Sequence, residues 1–207
     1  MQVAQNVLKV VIGEAENNVY FVTGQRGAFY DSGYGTDETH EAIIGLWEGA
    51  GKPEIAAIVV SHWHGDHAGG AGRLSKATGA PVYSGPRDKA GIEHRNKGVK
   101  VDHTPSDSET LDLGGATLRF LYAPGHTNGS LSALYVEGGF LMTGDTTRTA
   151  TPFSMDPTHG AMEDQRRTVR KLQRLDLNRI GPGHGPEIDD PARYLADLAE
   201  SIRNREW

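Results

Sequence analysis

Apolar residues fall in short runs along this chain of 207 residues, and their period changes from one run to the next. Runs at 7–12, 19–22 and 28–30 are short and rich in β-branched and aromatic residues. With Asn17-Asn18 and Gly24 to Gly27 as turn signals between them, they predict strands joined by tight turns. Segment 36–50 sets Ile43, Ile44 and Trp47 on one side of a 3.6-residue repeat, which predicts a helix. Residues 55–60 form a continuous apolar run, the pattern of a strand covered on both faces. A helix over 68–78 and a short strand over 81–84 follow. Stretch 85–107 is polar and irregular, carries Pro86, Gly91, Gly98 and Pro105, and predicts a long loop of the kind that is usually functional or mobile. Strands are expected at 109–113, 116–122, 130–136 and 140–143, the last two as a hairpin about Glu137-Gly138-Gly139. A helix over 161–175 turns Met162, Val169 and Leu172 inward, and a strand covers 177–180. Asp190 then caps a final helix with Pro191 at its first position and Tyr194, Leu195, Leu198 and Ile202 as its apolar face. The whole reads as one α/β domain over 1–207, with two β-rich halves that each end in helices.

Composition narrows the chemistry. With 37% hydrophobic and 23% charged residues and a mean hydropathy of -0.50, the chain is globular. It contains no Cys, which excludes disulfides, a thiolate nucleophile, an iron–sulfur cluster and any Cys-based zinc site. A metal would have to be held by nitrogen and oxygen. The net charge of -6 disfavours a nucleic-acid partner, and the basic run Arg166, Arg167, Arg170, Lys171, Arg174 reads as the solvated face of a helix. No apolar run is long enough to span a membrane, and residues 1–18 lack the pattern of a secretory signal, so the expected location is cytoplasmic. The expected partner is a small-molecule substrate, with a homodimer as the default assembly.

Nine His draw attention to their placement. Ser61-His62-Trp63-His64-Gly65-Asp66-His67 follows directly on the apolar run 55–60. His62 and His64 share a side if the chain stays extended, and Asp66 and His67 come after a Gly turn. Four ligand-type side chains thus meet at a strand end, where α/β folds place their sites. Three later motifs each set one His or Asp at a strand's C-terminal end beside a Gly: Pro124-Gly125-His126-Thr127, Thr143-Gly144-Asp145 and Gly181-Pro182-Gly183-His184-Gly185.

Taken together, these motifs resemble the metallo-β-lactamase superfamily of hydrolases. His62, His64, Asp66 and His67 match its H-x-H-x-D-H signature, and His126, Asp145 and His184 match its later His, Asp and His motifs in order. Asp31, in Phe29-Tyr30-Asp31-Ser32-Gly33, matches its early Asp motif. The resemblance implies a four-layer αβ/βα sandwich with a binuclear metal site at one edge. By that likeness His62, His64 and His126 bind a first ion, Asp66, His67 and His184 bind a second, and Asp145 bridges them. The ions are two divalent cations, zinc by default, with iron or manganese also suited to nitrogen and oxygen ligands. Asp66 is the expected catalytic residue, orienting the attacking hydroxide and shuttling its proton. Asp31 either fixes a ligand or holds the turn.

Absence of Cys, with Asp145 where a thiolate would sit, sets the chain apart from exported β-lactam-opening members that carry a Cys ligand. It is more similar to the thioesterase, lactonase and glyoxalase II-like branch; glyoxalase II itself has an added C-terminal helical domain that binds glutathione, and with about twenty residues after Gly185-Pro186-Glu187 glutathione specificity is not expected here. The expectation is therefore a binuclear metallohydrolase of a small ester, thioester or lactone, with a β-lactam as a further candidate. A mononuclear-iron thiol or persulfide dioxygenase and a phosphodiesterase or nuclease are the alternatives. His40, His94 and His103 are read as surface residues. Trp63 and Tyr34 are candidates for pocket walls, and His159 is balanced between pocket and surface.

Overall fold

The computed structural model describes residues 1–148 and 161–203. Strands β1 (Gln2–Ala4), β2 (Val7–Ile12), β3 (Asn17–Thr23), β4 (Gly27–Tyr30), β5 (Ile55–Val60) and β6 (Val82–Ser84) lie side by side in that order as a six-stranded sheet. A second sheet has five strands, β7 (Thr110–Asp112), β8 (Thr117–Tyr122), β9 (Leu131–Tyr135), β10 (Phe140–Gly144) and β11 (Arg179–Pro182), in the order β11-β10-β9-β8-β7. Neighbours are antiparallel except β4 with β5, β5 with β6 and β10 with β11. The helices are α1 (Asp37–Gly49), α2 (Gly65–Ala68), α3 (Ala71–Thr78), α4 (Lys89–Arg95), α5 (Met162–Leu172) and α6 (Pro191–Arg203).

Side-chain alternation explains the layering. In β3, Tyr20 and Val22 point between the sheets while Val19 and Phe21 point to the helices. In β10, Phe140 and Met142 point between the sheets while Leu141 faces α5 and α6. One core therefore lies between the sheets and includes Tyr20, Phe120 and Phe140. A second joins the first sheet to Ile43 of α1, Leu74 of α3 and Ile92 of α4. The third joins the second sheet to Val169 and Leu172 of α5 and Leu195 and Leu198 of α6. This is the expected four-layer sandwich. Fully buried rings such as Phe120 and Phe140 each contribute about 1.5–3 kcal/mol through burial. Among the described residues no helix is long and apolar enough to cross a membrane.

Several sequence expectations are corrected. The helix expected over 68–78 is two helices, α2 and α3, broken at Gly69-Gly70. The Gly70 N–H takes its partner from Gly33 O (3.0 Å), and a Cβ at Gly70 would lie 2.2 Å from Ser32 O. The loop expected over 85–107 contains α4, whose only fully buried side chain is Ile92, too little for an apolar periodicity to register. Strand β1 lies outside the expected elements, since Val3 alone of its three residues is buried. The strand expected over 177–180 begins and ends two residues later as β11. Gly181 lets β11 press against Phe140 and Tyr20, where a Cβ would come within 2.8 Å of both rings. Asn17 and Asn18 open strand β3 instead of forming a turn. The α6 cap is as expected, with Asp190 Oδ1 accepting from Arg193 N at 3.0 Å.

Candidate metal centre

The ligand-type residues leave the C-terminal ends of strands in both sheets. Beyond β5 the chain runs through Ser61 to His64 and turns into α2, which carries Asp66 and His67. His126 lies in the turn after β8, Asp145 directly follows β10, and His184 lies two residues beyond β11. All seven converge. The ligand atoms of His62, His64 and His126 lie within 4.8 Å of one another, as do those of His62, His67 and Asp145, and those of Asp66, His67 and His184. His64 Nδ1 is 2.9 Å from His62 Nε2 and 3.1 Å from His126 Nε2. Asp66 Oδ2 is 3.5 Å from His67 Nε2 and 3.4 Å from His184 Nε2. Between the groups stands Asp145. Its Oδ1 is 3.4 Å from both His67 Nε2 and His184 Nε2, and its Oδ2 is 3.6 Å from His126 Nε2.

Hydrogen bonds behind the ligands set which nitrogen faces inward. His67 Nδ1–H donates to Asp31 Oδ2 at 2.8 Å, and His184 Nδ1–H donates to the carbonyl of Ala15 at 2.8 Å. Ser61 Oγ donates to Asp31 Oδ2 at 2.9 Å, so it is left to accept from His62 Nδ1–H at 2.9 Å. In all three rings Nδ1 is engaged behind the site and Nε2 is turned toward the centre. Asp31 is thus the support behind two ligands, and its Oδ1 also accepts from Ser61 N at 2.7 Å.

Electrostatics favours positive charge here. Burial alone would push the Asp145 carboxyl up, but His67, His62 and His126 override it and hold it well below the usual carboxylate range. Burial likewise opposes ionisation of Asp66, yet its hydrogen bond to His184 and the charge of His67 bring it to about 2. Burial would lower His67, but Asp31 and Asp145 raise it well above the usual histidine value. His62 goes the other way: burial pushes it well down, and His67 and His126 push further. Asp145 Oδ1 is buried with no hydrogen-bond partner among the described residues, an arrangement that costs free energy unless a cation or a donor meets it.

Close backbone approach matters at two glycines. A Cβ on Gly183 would lie 2.7 Å from Asp145 Oδ1 and 2.8 Å from His67 Cε1. Gly144 has φ +51 and would place a Cβ 2.5 Å from Ser61 Oγ. The donor set, the orphaned Asp145 oxygen and the glycine that leaves room beside it all fit a divalent cation.

Sequence reasoning missed the polar residues that tie the ligand loops together. Asn18 Nδ2 donates to the carbonyls of Pro182 (2.9 Å) and Gly185 (2.7 Å), and Tyr20 Oη donates to Pro182 O (2.9 Å), so β3 of one sheet holds the His184 loop of the other. Asn17 Nδ2 donates to Asp66 O at 3.0 Å. Asp88, buried in stretch 85–107, accepts from Trp63 N and Thr127 Oγ1. The one available signal was polar residues inside or beside apolar runs, which does not reveal their partners.

Among the described residues, the remaining histidines stand apart from the cluster. His40 is half-buried on α1, His94 is exposed on α4, and His103 pairs with Glu109 at 2.7 Å. Tyr34 is exposed, and the Trp63 ring packs on His64 at a centroid distance of 4.2 Å. His159 lies outside the described residues. Along α5 the basic residues are paired, Arg166 and Arg170 with Glu163, Arg167 with Asp164 and Lys171 with Asp107.

A protein of Caenorhabditis elegans named beta-lactamase-like protein 2 homolog is 28% identical over 194 residues, covering 91% of this chain and 62% of that protein. An atrochrysone carboxyl ACP thioesterase of Emericella nidulans is 25% identical over 206 residues, covering 98% of this chain and 63% of that protein. The chain thus spans about three fifths of the length of these relatives. Among solved structures, a metallo-beta-lactamase from Pontibacter korlensis superposes with a TM-score of 0.83 at 18% identity, over 99% of this chain and 98% of that one. A metallo-beta-lactamase family protein from Thermus thermophilus gives 0.82 at 20% identity, over 98% and 81%. These two likenesses concern the fold. The family profile described as the metallo-beta-lactamase superfamily matches residues 12–184, from the end of β2 to the last histidine of the cluster, and this chain belongs to that superfamily.

Proposed function

We propose that the chain is a binuclear metal-dependent hydrolase of a small ester, thioester or lactone. The observation that carries this reading is Asp145, whose two oxygens face different histidine groups, Oδ1 toward His67 and His184 and Oδ2 toward His126. On this reading His62, His64 and His126 would hold one ion and Asp66, His67 and His184 the other, with Asp145 standing between the two groups as a candidate ligand to either. Zinc is the first choice, and iron or manganese also suit ligands of nitrogen and oxygen. When bound, two such ions polarise a carbonyl and lower the pKa of water.

The chain's own residues do the rest. Asp31, Ser61 and the carbonyl of Ala15 hold the imidazoles in the tautomer that presents Nε2 inward. Asp66 is more open than the other two carboxylates, with 23% side-chain exposure against 1% for Asp31 and 5% for Asp145. It would orient the attacking water by accepting its hydrogen bond and hand that proton to the alkoxide or thiolate released as the acyl–O or acyl–S bond breaks. The thioesterase named among the relatives supports an acyl substrate, and the all-nitrogen-and-oxygen donor set supports this branch over thiolate-ligated β-lactamases.

The test joins metal analysis to a substrate panel. Purified protein should hold close to two ions per chain and hydrolyse members of a thioester and lactone series. His62→Ala and Asp145→Ala should each lower kcat/KM by several orders of magnitude while the circular dichroism spectrum is kept. Full activity with one ion or none overturns the binuclear reading. Oxygen uptake with a single iron, or turnover confined to phosphodiesters or β-lactams, overturns the acyl-ester assignment.

A further inference from the structure

Stretch 85–96 has no ligand of its own, yet it grips the one residue that separates His62 from His64. Trp63 N–H donates to Asp88 Oδ2 at 3.2 Å, and Trp63 O accepts from Asn96 Nδ2 at 3.1 Å. Both backbone groups of that residue are therefore held from outside its own loop. The Trp63 ring lies under the Arg95 guanidinium at 4.0 Å, and α4 comes close enough that a Cβ on Gly91 would lie 3.3 Å from Trp63 Cβ.

The same Asp88 oxygen reaches the second ligand loop. Thr127 Oγ1, next in sequence to His126, donates to Asp88 Oδ2 at 2.7 Å, and Ser130 Oγ sits 2.8 Å from Thr127 Oγ1 and accepts from Thr127 N. The turns are pressed together: a Cβ on Gly129 would lie 2.3 Å from Asp88 N, and one on Gly85 would lie 1.9 Å from Gly129 O. Asp88 is 3% exposed, so these bonds form away from water, where a carboxylate's bonds are strong and their loss costly.

We propose that Asp88 is a positioning residue for one ion of the pair: by bonding Trp63 and Thr127 through a single carboxylate oxygen, it fixes the spacing of His64 and His126. The inference rests on the reading that His62, His64 and His126 share an ion. It separates the two groups of ligands, because Asp66 and the His184 loop are held by Asn17, Asn18 and Ala15, whereas Asp31 stands behind one histidine of each group, His67 directly and His62 through Ser61.

The test is a cobalt(II) titration of the metal-free full chain, read by visible absorption and chelator competition, with thermal unfolding of the same metal-free samples. Asp88→Ala should weaken one of the two equivalents about 10–100-fold and leave the other within error. Asp88→Asn, which keeps an acceptor oxygen, should recover part of the loss. Thr127→Val, which keeps the shape and removes only the hydroxyl donor, should weaken the same equivalent and serves if Asp88→Ala does not fold. Equal weakening of both equivalents together with a lower melting temperature would make Asp88 a fold-holding residue and overturn the proposal, as would no weakening of either. One equivalent only in the unsubstituted protein overturns the two-ion reading by itself, whatever the variants do.

Discussion

Asp31 sits at φ +64, a backbone conformation that Asn and Asp tolerate better than other side chains, and from there it reaches Ser61 and His67. Asp31→Asn therefore adds no backbone strain, but it removes the charge and replaces one acceptor oxygen by an NH2 donor that faces the N–H and O–H groups of Ser61 and His67. It is expected to weaken metal binding about 10–100-fold, measured by chelator competition. Unchanged affinity would leave Asp31 a turn residue. Gly183 has an ordinary backbone conformation, so the cost of Gly183→Ala comes from contact alone: the methyl group meets Asp145 Oδ1, His67 Cε1 and the backbone of Gly144. Overpacking of this kind costs about 1–3 kcal/mol. The melting temperature should fall by about 2–4 °C for each kcal/mol, and metal content should drop with it.

At the scale of elements, the helices that cover the second sheet hold the fold through an apolar core that includes none of the cluster's His or Asp residues. Leu172 on α5 is fully buried among Val169, Leu195 and Leu198. Leu172→Ala should cost about 2–5 kcal/mol in denaturant unfolding while kcat of the folded fraction stays unchanged. A matching loss of kcat would mean that α5 transmits strain to the centre. Elements were legible where a run had a single period and failed where it did not. The strands β2, β5 and β8 and the helices α1 and α6 follow their patterns closely. The break between α2 and α3 was hidden because a Gly pair reads as tolerable inside a helix, whereas here Gly70 bonds to Gly33 of another segment. Helix α4 was hidden because one buried Ile92 makes no stripe.

For the whole molecule, the site draws on both halves of the sandwich, with His62, His64, Asp66 and His67 following β5 of the first sheet and His126, Asp145 and His184 following strands of the second. Ions held there would cross-brace the sheets. Ligation at a thousandfold excess over Kd stabilises by about 4 kcal/mol per ion. Chelation should therefore lower the melting temperature by several degrees, and stoichiometric metal should restore it. A melting temperature indifferent to chelator would count against a resident metal. The sequence by itself determined the ligand types, their order and their position at strand ends, because His, Asp and Gly beside apolar runs are local patterns. The ligands' grouping followed from the sequence only through the family likeness; the distances at which these side chains meet were decided by tertiary structure, as was the support from Asn17, Asn18 and Asp88. The reason is physical. Asn18 acts on Pro182 and Gly185, and Asp88 on Trp63 and Thr127, across distances in sequence that only the packing of sheet on sheet and turn on turn closes. A buried polar residue advertises its need for a partner but not the partner's address.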